Sequence, residues 1–264
     1  MLTRSPLVMV LTQIRFPMEV IGLKPANFAA VDAAMNTAGF PLVKTDISAS
    51  VNLGTGGTLQ FSGHPESRMY YTADLSFAVT INPTFISLYC VDRGDGIPYA
   101  GHEAFIGKLC DVVRGLEPIL GGIAVERIGY RYVDALKISD ALDVLQEPFR
   151  GASSLAEDDG LGLSVASTTV EAFLAIGDDA SLGSNPAPEG VHVTCGTVVP
   201  QAVIDPAIPP KTDSRWIIDI DAYSTSGFAF FERNVRERAR SLADESRRLF
   251  YGRVVNDQFN SRFE

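Results

Sequence analysis

Asp219 and Asp221 alternate in the run Trp216-Ile217-Ile218-Asp219-Ile220-Asp221. On a β-strand their carboxylates therefore share one face. Paired carboxylates can hold Mg2+ or perform acid–base work. A hard divalent cation takes six or more oxygen ligands, more than this pair supplies. The competing use is an ion pair with an arginine such as Arg131. Arg131 and Arg15 hold equivalent places in two similar strand-like runs, Arg127-Ile128-Gly129-Tyr130-Arg131-Tyr132-Val133-Asp134 and Thr12-Gln13-Ile14-Arg15-Phe16. If those strands are central, both arginines project into a shared seam and need acidic partners, with Asp219 or Asp221 the natural choice. If the strands are edges, both arginines are ordinary surface charge.

Other chemistry finds little support. The three histidines, His64, His102 and His192, show no HExxH or HxH spacing and no carboxylate at metal spacing, so no metal or cofactor is expected. His192 and Cys195 lie three apart in a strand and so point to opposite faces, which argues against a dyad between them. There is no GxSxG elbow, no Walker loop and no GxGxxG. Gly54-Thr55-Gly56-Gly57 lacks the phosphate-loop lysine and reads as a hairpin turn. Cys90, Cys110 and Cys195 are odd in number and widely spaced, as expected of small buried hydrophobes in a reducing cytoplasm. No catalytic residue is assigned.

A second basic feature lies near the C-terminus. Phe231, Val235, Ala239, Leu242 and Leu249 recur at helical spacing, while Arg233, Arg236, Arg240 and Arg247 fall on another face. Guanidinium binds oxyanions through a planar fork that stays charged, so this ladder could seat an acidic partner. Glu237, Asp244 and Glu245 lie within a turn, so a solvated, salt-bridged face is the plainer expectation.

The elements that must position these groups repeat in order. A strand at 7–16, a helix from Pro25 to Gly39, strands at 42–51, 59–61, 69–81 and 85–91, and a helix from Tyr99 to Leu116 form one set. A strand at 125–136, a helix at 140–145 with Ser139 as its cap, strands at 163–176, 191–199 and 215–223, and a helix from Phe228 to Phe250 form the other. The expected fold is α+β: two pseudo-symmetric β-α-β-β-β-α halves, mainly antiparallel, with two long packed helices. The halves span 1–120 and 121–264, intimately packed or a single domain. Acidic loops are expected at 151–160 and 177–190. With 264 residues and 46% hydrophobic content the chain can bury a large core. No apolar run reaches the roughly 20 residues of a membrane span. Leu7–Leu11 is too short for a signal peptide and lacks a cleavage site. The net charge of -10 argues against duplex nucleic acid as partner. It is uneven: Ile138–Gly190 holds ten acids against Arg150 alone, while Phe228–Glu264 carries eight arginines and six acids.

Ser5–Phe16, Ile128–Asp134, Trp216–Asp221 and the closing Ser246–Asp257 together resemble a sporadically distributed family of uncharacterised bacterial proteins. The chain departs from that pattern at Asp134, where Asn is usual, and at Asn256, where Thr is. The resemblance implies a cytoplasmic bacterial protein, associated with defence or mobile elements, and transfers no site. The leading expectation is a non-enzymatic binding or regulatory protein that takes a protein partner or an anionic small molecule at the seam. Against it stand a metal-assisted phosphoesterase or nucleotide-processing enzyme using Asp219 and Asp221, and a structural subunit of a homodimer.

Overall fold

The structure, a computed structural model, describes residues 6–44, 48–53, 59–64, 67–91, 99–147, 149–150, 169–175, 189–197 and 216–263. The first strand, β1 (Leu7–Arg15), alternates buried and half-buried positions and stops before Pro17, which cannot donate to a ladder. Pro25 opens a short 3-10 turn that leads into α1 (Phe28–Thr37). Next come β2 (Leu42–Lys44), the hairpin β3 (Ser48–Leu53) and β4 (Leu59–His64), then β5 (Arg68–Tyr71), β6 (Phe77–Asn82) and β7 (Phe85–Val91). Helix α2 (His102–Leu120) ends this set.

The second set holds β8 (Ala124–Val125), β9 (Arg127–Leu136), α3 (Ile138–Val144), β10 (Thr169–Ala175), β11 (Glu189–Thr197), β12 (Trp216–Ser224) and β13 (Phe228–Ala229). Helix α4 (Glu232–Leu249), a π-helical turn (Phe250–Val254) and α5 (Gln258–Phe263) close the chain. The fold is α+β, and among the described residues no helix is long and apolar enough to cross a membrane. The turn at Gly54–Gly57, the loop 151–160 and all but the last two residues of the loop 177–190 lie outside the described residues.

Nine strands form one antiparallel sheet in the order β10-β11-β12-β9-β1-β7-β6-β5-β2. Both opening strands are central: β1 pairs with β9 through seven further positions after a register shift at Leu7/Met9. Outward from that pair, each wing takes the last strand of its set first: β7, β6, β5 on one side and β12, β11, β10 on the other.

Helices α2 and α4 pack on each other, α1 packs on α2, and α4 lies on β9 and β12. The core between them and the sheet draws Ile14, Leu88, Phe105, Tyr130, Ile218 and Leu242 from both sets. Burying side chains of this size contributes roughly 1.5–3 kcal/mol each. Gly115 permits the close α1–α2 crossing: a Cβ there would sit 3.0 Å from the Ala34 carbonyl oxygen. The three cysteines are buried free thiols, and the Trp216 indole N–H donates to Cys195 Sγ at 3.1 Å.

Four boundaries differ from expectation. Residues 69–81 form a hairpin instead of one strand, because the Asp74 carboxylate accepts from Thr72 Oγ1 (2.6 Å), Ser76 Oγ (2.8 Å) and Ser76 N–H (3.1 Å) and closes a turn. Helix α2 continues through Pro118 to Leu120, since buried Leu116 and Leu120 hold its last turn on the core. Phe228–Ala229 pairs with β8, which delays the last helix to Glu232. Ser139 lies inside α3, whose capping position is Lys137.

Candidate functional site

The sheet face turned away from α2 and α4 carries an apolar end and a charged end. Met9, Val133 and Ile217 are buried together at the first, with Leu11, Tyr89 and Ala135 around them. At the other end Arg127, Gly129 and Arg131 share one face of β9, and Asp219, Asp221 and Tyr223 share one face of β12. The register sets Asp221 opposite Arg131 and Tyr223 opposite Gly129. The ion pairs nonetheless form on the diagonal. Arg131 grips Asp219 with two bonds, Nε to Oδ1 at 2.8 Å and Nη2 to Oδ2 at 2.6 Å. Arg127 Nη2 donates to Asp221 Oδ2 at 2.7 Å.

The diagonal is possible because position 129 has no side chain. A Cβ on Gly129 would stand 3.0 Å from both Arg127 Nη1 and Asp221 Oδ1. The second pair therefore lies across the bare backbone of β9. The Tyr223 ring supports it from β12, its centroid 5.2 Å from the Arg127 guanidinium carbon. Burial pushes the Asp221 carboxyl above its ordinary acidity range, and the Arg127 charge and hydrogen bond offset this only in part. Bidentate guanidinium–carboxylate geometry is the strong form of this bond.

Arg15 sits opposite Arg127 in the β1–β9 register, on the same face, and its side chain is exposed. Gln13 lies opposite Gly129 and donates to Ser87 Oγ of β7 at 3.1 Å. On the other flank, His192 of β11 lies opposite Asp221, with its Nε2 2.7 Å from Glu171 Oε1 of β10. The face thus bears a row of polar groups across six strands, from Glu171 of β10 to Ser87 of β7, centred where the two sets of elements meet.

Comparison with protein-family models and with curated proteins finds no match for this chain.

The anticipated Arg131–Asp219 contact is present, and Arg15 lies on the same face as Arg131 without touching an acid among the described residues. The principal group missed from sequence is Arg127, the partner of Asp221. Its signal was there: Arg127, Gly129 and Arg131 alternate, so a face assigned to Arg131 includes Arg127. His192 and Cys195 do occupy opposite faces, one beside Glu171 and the other in the core against Trp216. Both aspartates are engaged by guanidinium, and among the described residues no group of three or more His, Cys, Asp or Glu could hold a metal ion.

The arginines of α4 divide into two kinds. Arg236 donates to Cys110 Sγ (3.3 Å) and pairs with Glu232, and Arg240 pairs with Glu103 of α2 through two bonds (2.7 and 3.2 Å). These two link α4 to α2. Arg233 and Arg247 remain exposed. Arg238, outside the expected ladder, joins Glu189 (2.5 Å) and Ser224 Oγ (3.0 Å).

Proposed function

We propose that this chain is a non-enzymatic binding protein that recognises an anionic group, a carboxylate or a phosphate on a protein partner or small molecule, at the β1–β9 seam. One observation carries the reading. On the shared face of β1, β9 and β12, three guanidiniums (Arg15, Arg127, Arg131) meet two carboxylates (Asp219, Asp221), and among the described residues the exposed Arg15 has no carboxylate partner. An oxyanion placed there would bond Arg15 directly and gain from Arg127 beside it, whose own pair holds it in position. Arg233 and Arg247, exposed on α4, are the remaining partner-facing arginines in this reading. A reducing cytoplasm suits the three buried thiols.

Thermal unfolding in the presence of inorganic phosphate, and of an acidic peptide, tests the reading. Either probe at about 100 times its Kd stabilises the folded chain by about 2.7 kcal/mol. Arg15→Ala removes that gain, and Arg114→Ala, at an exposed position of α2, leaves it. Absence of stabilisation by both probes, or turnover of a phosphoester panel that Asp219→Ala abolishes, would overturn it.

A homodimer is the second reading, and β2 favours it. This strand ends the nine-stranded sheet with Leu42 and Val43 exposed, and among the described residues its outer edge is open to pairing with a second copy. Light scattering across concentration, with Val43→Lys as the blocking variant, decides it.

A further inference from the structure

Three segments converge at the end of the sheet where β1 runs out and β9 begins. The Arg15 carbonyl accepts from Glu126 N–H at 2.9 Å, and the Phe16 ring meets the Phe230 ring at 6.0 Å. Gly122 N–H bonds the Phe230 carbonyl at 3.1 Å, and Phe230 N–H bonds the Ile123 carbonyl at 2.8 Å. The chain after β1, the end of α2 and the approach to α4 are thereby fixed to one another.

The inward side chains of these segments, Phe16, Val20, Leu23, Leu120 and Phe230, belong to the core. Outward ones are apolar too. Met18 is 73% exposed and Ile21 76%, the two most exposed large apolar side chains among the described residues, and Phe231 is 42% exposed. They are not scattered. Gly22, beside Ile21, lies so close to α2 that a Cβ on it would stand 2.7 Å from Ile119 Cγ2. Just past Ile119, the Phe231 ring lies against exposed Gly121 and Gly122, where Cβ atoms would be 3.6 and 3.7 Å from it. Ile21 and Phe231 therefore flank the end of α2, with Met18 three residues before Ile21. Single exposed apolar residues are ordinary, whereas a contiguous apolar surface marks an interaction site.

This surface is held in place. Buried Leu23 anchors the 3-10 turn Ile21–Leu23, and Val20 N–H before it bonds the Pro83 carbonyl at 2.8 Å. The Ile21 carbonyl accepts from Lys24 N–H (3.1 Å) and from Asn27 Nδ2 (2.7 Å). The Phe231 carbonyl accepts from Val235 N–H at 3.1 Å. A surface fixed before binding loses little freedom when a partner covers it.

Charge beside the patch selects the partner. Glu19 pairs with Lys24 (2.7 Å), Glu117 accepts from Glu232 N–H (3.0 Å), and Glu232 pairs with Arg236. Two exposed guanidiniums, Arg15 and Arg233, remain without a carboxylate partner among the described residues, against one such acid, Glu126. The surplus is positive. A second copy on a twofold axis would set that surplus against itself, and an anionic lipid surface would meet a chain of net charge -10.

We propose that Met18, Ile21 and Phe231 form the apolar half of a docking surface whose charged half is Arg15, and that its occupant is a protein segment carrying apolar side chains beside acidic ones. The inference rests on the anion reading of the seam and names its partner as a protein. Arg15 and Met18 are three residues apart, at most about 11 Å between Cα atoms, so one short segment reaches both. Its carboxylate bonds the guanidinium while its apolar side chains cover Met18 and Ile21.

Two short labelled peptides of equal negative charge, one with Leu and Phe among its acids and one with Ser in their place, test this by fluorescence polarisation with the full chain. The apolar peptide should bind roughly tenfold tighter or more, the effect of burying one large side chain. Ile21→Ser combined with Phe231→Ser should bring it to the level of the serine peptide. Both positions are exposed, and serine is favoured at the helix cap that Phe231 occupies, so the fold is retained. Equal binding of the two peptides to the wild type, with phosphate still stabilising the chain, overturns this inference alone. Failure of phosphate and of both peptides overturns the anion reading and this inference with it. An apolar advantage that survives in the double variant places the contact elsewhere and overturns the docking surface. So does sedimentation with neutral lipid vesicles, or self-association by light scattering, that the double variant abolishes.

Discussion

Arg131 and Asp219 are each only partly exposed, at 26% and 19%, and each satisfies two bonds of the other. Removing one partner leaves a half-buried charge without its complement, whereas a surface pair of this kind contributes little. Arg131→Met is therefore expected to destabilise the chain by about 1–3 kcal/mol in urea unfolding. Asp219→Leu placed on top of it should recover part of that loss, and strictly additive effects would show that the contact is only incidental. Asp134 sets a different dependence. Burial raises its folded-state value to about 7, above the ordinary 3.8, so its contribution is fully present below about pH 4 and is lost as pH rises through about 7. The whole interval amounts to on the order of 4 kcal/mol. At Asp32, hydrogen bonds from Arg68 and Tyr70 outweigh the upward push of burial and hold the carboxyl low, so its contribution is lost in acid instead. Stability followed by urea from about pH 4 to about pH 8 should decline toward the alkaline side, and Asp134→Asn should flatten that decline. The carboxylate pair at 219 and 221 was legible from alternation alone. The burial of Asp134 was not, because it depends on what α4 lays over β9.

At the scale of elements, the β5–β6 hairpin shows what periodicity can hide. The stretch from Met69 to Ile81 alternates throughout, so it reads as one strand with Tyr71 and Val79 on the same face. In the fold Tyr71 lies opposite Ala78 and Tyr70 opposite Val79, which puts Tyr71 and Val79 on opposite faces. Local turn chemistry at Thr72, Asp74 and Ser76 overrides the alternation, and it places Leu75 at φ 58, a conformation that a side chain disfavours. Leu75 is 44% exposed, so its side chain contributes little packing. Leu75→Gly is expected to raise the urea midpoint with an unchanged slope, by about 0.5–1 kcal/mol. A lower midpoint would mean that Leu75 packs better than its exposure implies. Helix α4 makes the complementary point. Its apolar stripe was readable at Val235, Ala239 and Leu242, while Phe231 precedes the helix and is 42% exposed. The destination of its arginines was not readable, since the partners Glu103 and Cys110 lie far away in sequence on α2.

For the molecule as a whole, the order of elements was readable from pattern, while the union of two sets into one sheet was not. Hydrophobic period identifies strands, and it carries no information about which distant strand lies alongside. The decisive pairing is β1 with β9, and aromatic contacts repeat it: Phe16 of the first set meets Phe230 of the second at 6.0 Å, and Phe105 meets Tyr130 at 5.5 Å. A division at Gly121 would expose both central strands along their full length and open the core beneath them. Fragments 1–120 and 121–264 expressed separately are therefore expected to lack a cooperative thermal transition, because each would present a bare edge and half a core. Expressed together they should recover one transition, and the intact chain should show equal calorimetric and van't Hoff enthalpies. A cooperative melt by either fragment alone would mean that the sheet is two domains laid edge to edge. The anion-binding seam would then be a domain interface free to open, not a fixed surface of a single fold.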